Sequence, residues 1–267
     1  MLTLNADAPA EIFSIGTEVV LGRIQDTNSS WLAERIVAGG GDLARITAVR
    51  DVPDEVESAL RDAIDRGAGL IVTTGGLGPT PDDLTVEIVA GIAGCGVRSD
   101  EAVIADYRER RQIPAAEELN PSMIKMGTVP GAADVFSNPV GWARGFAVEV
   151  DGSVLFCMPG PPREVKGIFE THLARIVSEG YRGKVAIRRV RIEMFESQVS
   201  PLLQEVMDKF PNAYLKAYVA MGDGTGLPVD VVVRGADGLP PNQELKRVLG
   251  FFAALADVHG KSLEVID

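Results

Sequence analysis

The sequence predicts an α/β fold, a mostly parallel sheet with helices on both faces, followed by a smaller α+β unit of order βαββαβ. Three observations predict it. Short apolar strands alternate with amphipathic helical stretches, a glycine-rich turn leaves the carboxyl end of one such strand, and the charge balance changes near residue 180. All of the formal charge of −12 falls before Gly180, and the remainder is balanced. At 267 residues two domains are expected, over 1–180 and 181–267.

The first strand, Glu11 to Ile15, runs into the turn Gly16-Thr17-Glu18. A helix follows, with Thr27 or Asn28 as its cap, Trp31, Leu32 and Ile36 on one face, and Gly39 to Gly41 as its stop. Leu43 to Val49 reads as a second strand. Pro53 then opens a helix in which Val56, Ala59, Leu60, Ala63 and Ile64 recur at helical spacing.

Leu70-Ile71-Val72 is wholly apolar, which fits a central parallel strand covered on both faces. The run Thr73-Thr74-Gly75-Gly76-Leu77-Gly78-Pro79-Thr80-Pro81-Asp82-Asp83 leaves its carboxyl end, where sheets of this kind bind ligands. Helices are expected over Leu84 to Ala93, Asp100 to Arg111 and Glu117 to Lys125. Asp151-Gly152 between Phe146–Val150 and Val154–Phe156 signals a hairpin. After Met158-Pro159-Gly160-Pro161-Pro162, a long helix with Val165, Ile168, Phe169, Leu173, Ile176 and Val177 on one stripe closes the first domain. The rest reads as strand, helix, strand, strand, helix and strand over Val185–Glu193, Gln198–Phe210, Tyr214–Val219, Val229–Arg234, Gln243–Val258 and Leu263–Ile266.

Two cysteines without paired spacing and two histidines argue against disulfide frameworks, Cys/His zinc sites and Ser–His or Cys–His catalysis. An acidic N-terminal domain repels nucleic acid and anionic membrane, so neither is expected as a partner. With no signal-like start and no long apolar run, a cytoplasmic location is expected. The basic stretch Lys184, Arg188, Arg189, Arg191 would suit a KH-like RNA binder, but the nearby Gly222-Asp223-Gly224-Thr225-Gly226 is acidic where such a loop clamps phosphate. A solvated strand face is the expectation there, and His172, Cys95 and Cys157 are read as structural.

Gly75, Gly76 and Gly78 permit positive φ and close approach of the backbone, so that free N–H groups and the hydroxyls of Thr73, Thr74 and Thr80 can take a phosphate. A turn that needs glycine for geometry alone is the competing reading. Asp82 and Asp83 would repel an anion unless they hold a divalent cation, and one of them can also cap the following helix. Glu18 and Asp26, after the first strand, would face Asp83 across one crevice and complete an oxygen ligand set for Mg²⁺ or Mn²⁺. Asp26, Thr27 and Asn28 would otherwise merely start a helix, and for Asp26 taken alone that is the expected role.

Gly16-Thr17-Glu18, Asp26-Thr27-Asn28 with Trp31-Leu32-Ala33, Thr73 to Asp83 with Thr85, Asn138-Pro139-Val140-Gly141, and Pro159-Gly160-Pro161-Pro162 with Glu164 occur in this order. Together they resemble the N-terminal domain of CinA (competence/damage-inducible) proteins, of the molybdopterin-binding MoaB/MogA-like group. Glu196-Ser197 resembles a shorter motif of the same family. The resemblance implies a three-layer α/β domain and, in the CinA group, metal-dependent hydrolysis of ADP-ribose to AMP and ribose 5-phosphate with Mg²⁺, Mn²⁺ or Co²⁺. In the MogA-like group it implies binding of molybdopterin or adenylyl transfer to it.

Carried over by position, Asp83 and Asp54 would be catalytic; the metal ligands expected from the residues themselves are Glu18, Asp26, Asp82 and Asp83. Thr17, Asn28, Thr73, Thr74, Gly75, Gly76, Gly78, Thr80, Asn138, Gly141, Arg144, Pro159 and Gly160 would bind substrate. A homo-oligomer, dimer or trimer, is expected. Ala143-Arg144-Gly145 departs from the family's Ala-Pro-Gly, and Arg144 would bear on ligand choice. Because the sequence stops at Asp267, the deamidase domain of full-length members is expected to be missing, and that activity is not carried over. The leading expectation is therefore an ADP-ribose hydrolase. The alternatives are a molybdopterin-binding or adenylyl-transferring protein, and a module without catalysis.

Overall fold

The computed structural model describes residues 2–115, 117–219, 226–235 and 239–266. The chain divides into two compact units, Met1–Gly180 and Tyr181–Asp267. The first contains β1 (Ala10–Ile15), α1 (Thr17–Val20), α2 (Thr27–Ala38), β2 (Leu43–Val49), α3 (Pro53–Asp65), β3 (Leu70–Thr74) and α4 (Thr85–Ile92). It continues through β4 (Val97–Ser99), α5 (Glu101–Arg111), α6 (Pro121–Met126), β5 (Thr128–Pro130), β6 (Asp134–Phe136), β7 (Gly145–Val150) and β8 (Ser153–Met158). It ends in α7 (Pro162–Ile168), a π-helical turn at Phe169–Leu173, and α8 (Ala174–Gly180).

Six strands form the main sheet in the order β2-β1-β3-β8-β7-β6. The first four run parallel, and β7 and β6 add an antiparallel margin. Every residue of β1, β3 and β8 is buried, as expected of strands covered on both faces. On one face Phe13, Ile15, Ile71, Leu155 and Cys157 pack against Val56, Leu60 and Val89, which belong to α3 and α4. The hairpin between β7 and β8 turns on Asp151 (φ 48°) and Gly152 (φ 84°), the left-handed pair such a tight turn requires.

Local chemistry moves several expected boundaries. Asp26, rather than Thr27 or Asn28, caps α2, its Oδ1 accepting from the Ser29 amide at 2.9 Å. The helix expected from Glu117 begins only at Pro121, because Asn120 accepts from the Ser122 amide at 2.8 Å and proline fixes the first helical φ. Leu84 occupies the cap position of α4 without a side-chain bond, so neither Asp82 nor Asp83 caps that helix. The strands β4, β5 and β6, three residues each, and the single turn α1 are too short to leave a periodic signal.

The second unit contains β9 (Val185–Ile192), α9 (Glu196–Lys209), β10 (Ala213–Ala217), β11 (Leu227–Arg234), α10 (Pro241–Val258) and β12 (Leu263–Val265). Its antiparallel sheet has the order β10-β11-β9-β12, so β11 separates the two strands of a split βαβ unit. Val190, Ile192, Val199, Val206, Val231 and Phe252 lie in its core. Most of the loop that bore on the KH-like reading, 222–225, lies outside the described residues. Among the described residues no helix is long and apolar enough to cross a membrane.

Candidate functional site

At the carboxyl ends of β1 and β3 the chain leaves a hollow of about 360 Å³. Pleating decides what reaches it. Ser14 and Thr74 are register partners on β1 and β3, and both line the hollow. Thr73, one residue earlier, points to the opposite face, stands beside Cys157 of β8 and is fully buried. Thr73 is therefore a core residue and offers no hydroxyl to a ligand there.

The hollow is completed by Glu18 and Ile24, by Asp26 and Asn28 at the start of α2, and by Gly160. Asn28 Nδ2 donates to the Gly160 carbonyl at 2.8 Å, tying the α2 start to the Pro159–Pro162 segment. Glu18 curls back over Gly16, where a Cβ would come within 2.7 Å of its Oε1. The amino end of a twelve-residue helix and two carboxylates thus share one small space.

The glycines of the loop answer first to geometry. Gly75 has φ +103°, and a Cβ there would lie 2.1 Å from the Ile15 carbonyl oxygen. Its amide is already bonded to the Met158 carbonyl at 3.0 Å, so it is not a free phosphate donor. Gly76 has φ +68°, and a Cβ would meet Thr85 Oγ1 at 2.0 Å. Thr85 in turn donates from Oγ1 to the Gly75 carbonyl at 3.1 Å and from its amide to the Gly76 carbonyl at 3.1 Å. Among the described residues the amides of Gly76, Leu77 and Gly78 have no protein acceptor, and they are the donors the loop can offer.

On the other side of the loop Gly76, Gly78, Asp83, Lys125 and Arg144 enclose a second hollow of only about 10 Å³, room for one water-sized sphere. Asp83 Oδ2 accepts from the Thr80 amide at 2.8 Å and lies 2.5 Å from the Thr80 hydroxyl. The same hydroxyl lies 2.5 Å from Asp82 Oδ1, although it has a single proton to give. That hydrogen bond holds the exposed Asp82 carboxyl below its ordinary range, with Asp82's own backbone amide next in effect. Lys125, which nothing in the sequence pointed to, donates to the Thr80 carbonyl.

Several predicted site residues turn out to hold the scaffold. Thr17 and Asp51 bond each other twice, the Thr17 amide donating to Asp51 Oδ2 at 2.6 Å and the Asp51 amide to Thr17 Oγ1 at 3.2 Å. Asp54 sits exposed in the first turn of α3, lining neither hollow, so Asp51 is the acid that reaches the β1 turn. Asn138 uses all four of its hydrogen-bonding positions, on Ala143, Glu164, Val140 and Gly141. Gly141 is pressed against Glu164, where a Cβ would come within 2.1 Å of the carboxyl. Arg144 is bonded to Asp106, with its side chain 9% exposed and its Nε buried without an acceptor.

The carboxylates proposed as one metal set are not gathered. Glu18 and Asp26 line the larger hollow and Asp83 the smaller, and Asp26 is engaged as a helix cap. Among the described residues no three His, Cys, Asp or Glu side chains are grouped as a metal site. As they stand, these residues do not fit one bound divalent ion, and no chemical step is derived through it.

A mostly parallel sheet between helices, with a glycine loop and a polar hollow at its carboxyl edge, makes this an α/β domain of the kind whose ligand sites lie at that edge. Residues 11–178 match the family described as the probable molybdopterin binding domain. The chain belongs to that family, and among its members to the CinA-like proteins. It is similar to a protein of Pyrobaculum calidifontis, 34% identical over 214 residues that make up 78% of this chain and 80% of that one. It is also similar to a CinA-like protein of Mycobacterium tuberculosis, 36% identical over 221 residues, 77% of this chain but 50% of that one. The chain thus spans about half the length of the CinA-like relatives it matches. The crystal structure of the protein CinA from Thermoplasma acidophilum superposes with a TM-score of 0.58 at 32% identity, covering 63% of this chain and 98% of that one.

Proposed function

We infer that the N-terminal unit binds a small phosphorylated ligand of the pterin type, molybdopterin being the member its family points to. The observation that carries this is the hollow where Ser14, Thr74, Glu18, Asn28 and Gly160 meet, of a size that suits a single ring system. A pterin edge presents N–H donors, which the Glu18 carboxylate accepts. The amides of Gly76 to Gly78, which have no protein acceptor among the described residues, are the loop's donors for the ligand's phosphate; Arg144, ion-paired with Asp106, adds no free charge to them.

This places pterin binding ahead of ADP-ribose hydrolysis, because the carboxylates that hydrolysis would draw on stand in two separate places. The two readings are separated by calorimetry with molybdopterin beside a turnover assay of ADP-ribose with Mg²⁺, Mn²⁺ or Co²⁺. Saturable pterin binding that Glu18→Ala weakens about tenfold or more, with no AMP released, is the expected result. AMP release that Asp83→Ala abolishes would restore the hydrolase reading. Neither binding nor turnover would leave a module without a ligand.

A further inference from the structure

An anion laid on the amides of Gly76 to Gly78 stands beside two carboxylates of the same loop, Asp82 and Asp83. The approach is close, since a Cβ on Gly78 would lie 2.5 Å from Asp83 Oδ2. A phosphate is held there only with a compensating cation. Glu18 and Asp26 line the other hollow, so the acids of this unit are not arranged to bring one in as a divalent ion.

A distant part of the chain supplies a cation instead. Lys125, in the last turn of α6, donates from Nζ to the Thr80 carbonyl and lines the small hollow with Gly76, Gly78 and Asp83. Its ammonium has three protons to give, Thr80 is a neutral acceptor, and no carboxylate among the described residues pairs with it. Arg144 on the same wall differs, because Asp106 holds its guanidinium. The charge of Lys125 is felt by the loop: the Asp82 carboxyl, held low first by the Thr80 hydroxyl and next by its own backbone amide, is lowered by Lys125 as well. Packing fixes the lysine in place. Met123, two residues earlier, is buried with Val103 and Tyr107 of α5, and the Tyr107 hydroxyl lies 2.6 Å from the Trp142 carbonyl and 3.3 Å from the Met126 carbonyl. Half-buried, the ammonium is screened less than a surface lysine.

We propose that Lys125 is the counter-charge that lets this loop hold a phosphate beside Asp82 and Asp83, and that it selects the phosphorylated form of the ligand without a metal ion. The inference rests on the reading of this unit as a site for a phosphorylated pterin. Calorimetry in a chelating buffer compares molybdopterin with the same compound after phosphatase treatment. The wild-type chain is expected to favour the phosphorylated form. Lys125→Met is expected to reduce that preference about tenfold or more by weakening the phosphorylated form alone, whereas Lys125→Arg retains it.

Reductive methylation of the wild-type chain, read by mass spectrometry, gives a second measure that needs no variant. Molybdopterin and inorganic phosphate are each expected to shield Lys125, and the dephosphorylated compound to leave it as reactive as in the free chain. Equal weakening of both forms by Lys125→Met overturns the proposal, since it marks a lysine with a structural role only. So does a preference for the phosphorylated form that arises only on adding Mg²⁺ or Mn²⁺, or a Lys125 that no phosphate shields. Shielding by inorganic phosphate with no binding of either pterin supports the role of Lys125 and overturns the pterin reading instead.

Discussion

Asp83 grips Thr80, one carboxylate oxygen accepting the amide at 2.8 Å and lying 2.5 Å from the hydroxyl, whose single proton it shares with Asp82. This ties the loop between β3 and α4 to itself, while the amides of Gly76 to Gly78 keep no protein acceptor among the described residues. Asp83→Ala removes these contacts from a half-buried position, while Asp82 remains as an acceptor for the hydroxyl, so stability is expected to fall by about 1 kcal/mol. Ligand affinity is expected to fall further, by about tenfold, because the loop must then be ordered on binding. Calorimetric titration and thermal unfolding of the same samples separate the two effects.

Gly75 is fixed by sterics rather than by the ligand. Its φ of +103° and the Ile15 carbonyl oxygen, 2.1 Å from a built Cβ, leave no place for a side chain. Gly75→Ala is expected to cost about 3 kcal/mol or more. Denaturant unfolding measures the cost, and a loss under 1 kcal/mol would mean that the strand ends part readily.

Burial raises the carboxyl of Glu164 above its ordinary value, against the opposing effects of the Asn138 amide and Arg110. A raised folded value means the folded protein holds the proton more tightly than the unfolded chain. The contribution is complete below the ordinary carboxyl range and is lost as pH rises through the raised value. Glu164→Gln keeps an acceptor for Asn138 Nδ2 but carries no charge to desolvate. Its stability relative to wild type is therefore expected to improve between pH 4 and pH 7, and a flat difference across that range would refute the assignment.

Thiol chemistry distinguishes the two cysteines. Cys157 is fully buried on β8, and burial pushes its thiol up to about 12, so it has almost no thiolate at neutral pH. Cys95 is partly exposed. A disulfide reagent is expected to titrate Cys95 in the native protein and Cys157 only on unfolding. Rapid native labelling of Cys157 would reveal local opening of β8.

The sequence by itself determined the alternation of strands and helices, the position of the glycine loop, the hairpin at Asp151-Gly152 and the order βαββαβ of the second unit. Each of these is written in nearest neighbours: apolar period, turn residues, proline and glycine punctuation. The family motif was legible for the same reason, since Thr73 to Asp83 is one continuous run.

Tertiary structure alone decided which motif residues face the hollow. Pleating sends Thr74 into it and Thr73 into the core, a difference of one residue that no motif records. Lys125 reaches the loop from α6, whereas Glu18 and Asp26 end in a different hollow from Asp83. Asn138 and Thr17 spend their polar atoms on the scaffold. Such outcomes depend on strand register and on which loops the sheet brings side by side, contacts between residues far apart in the chain that local patterns do not encode.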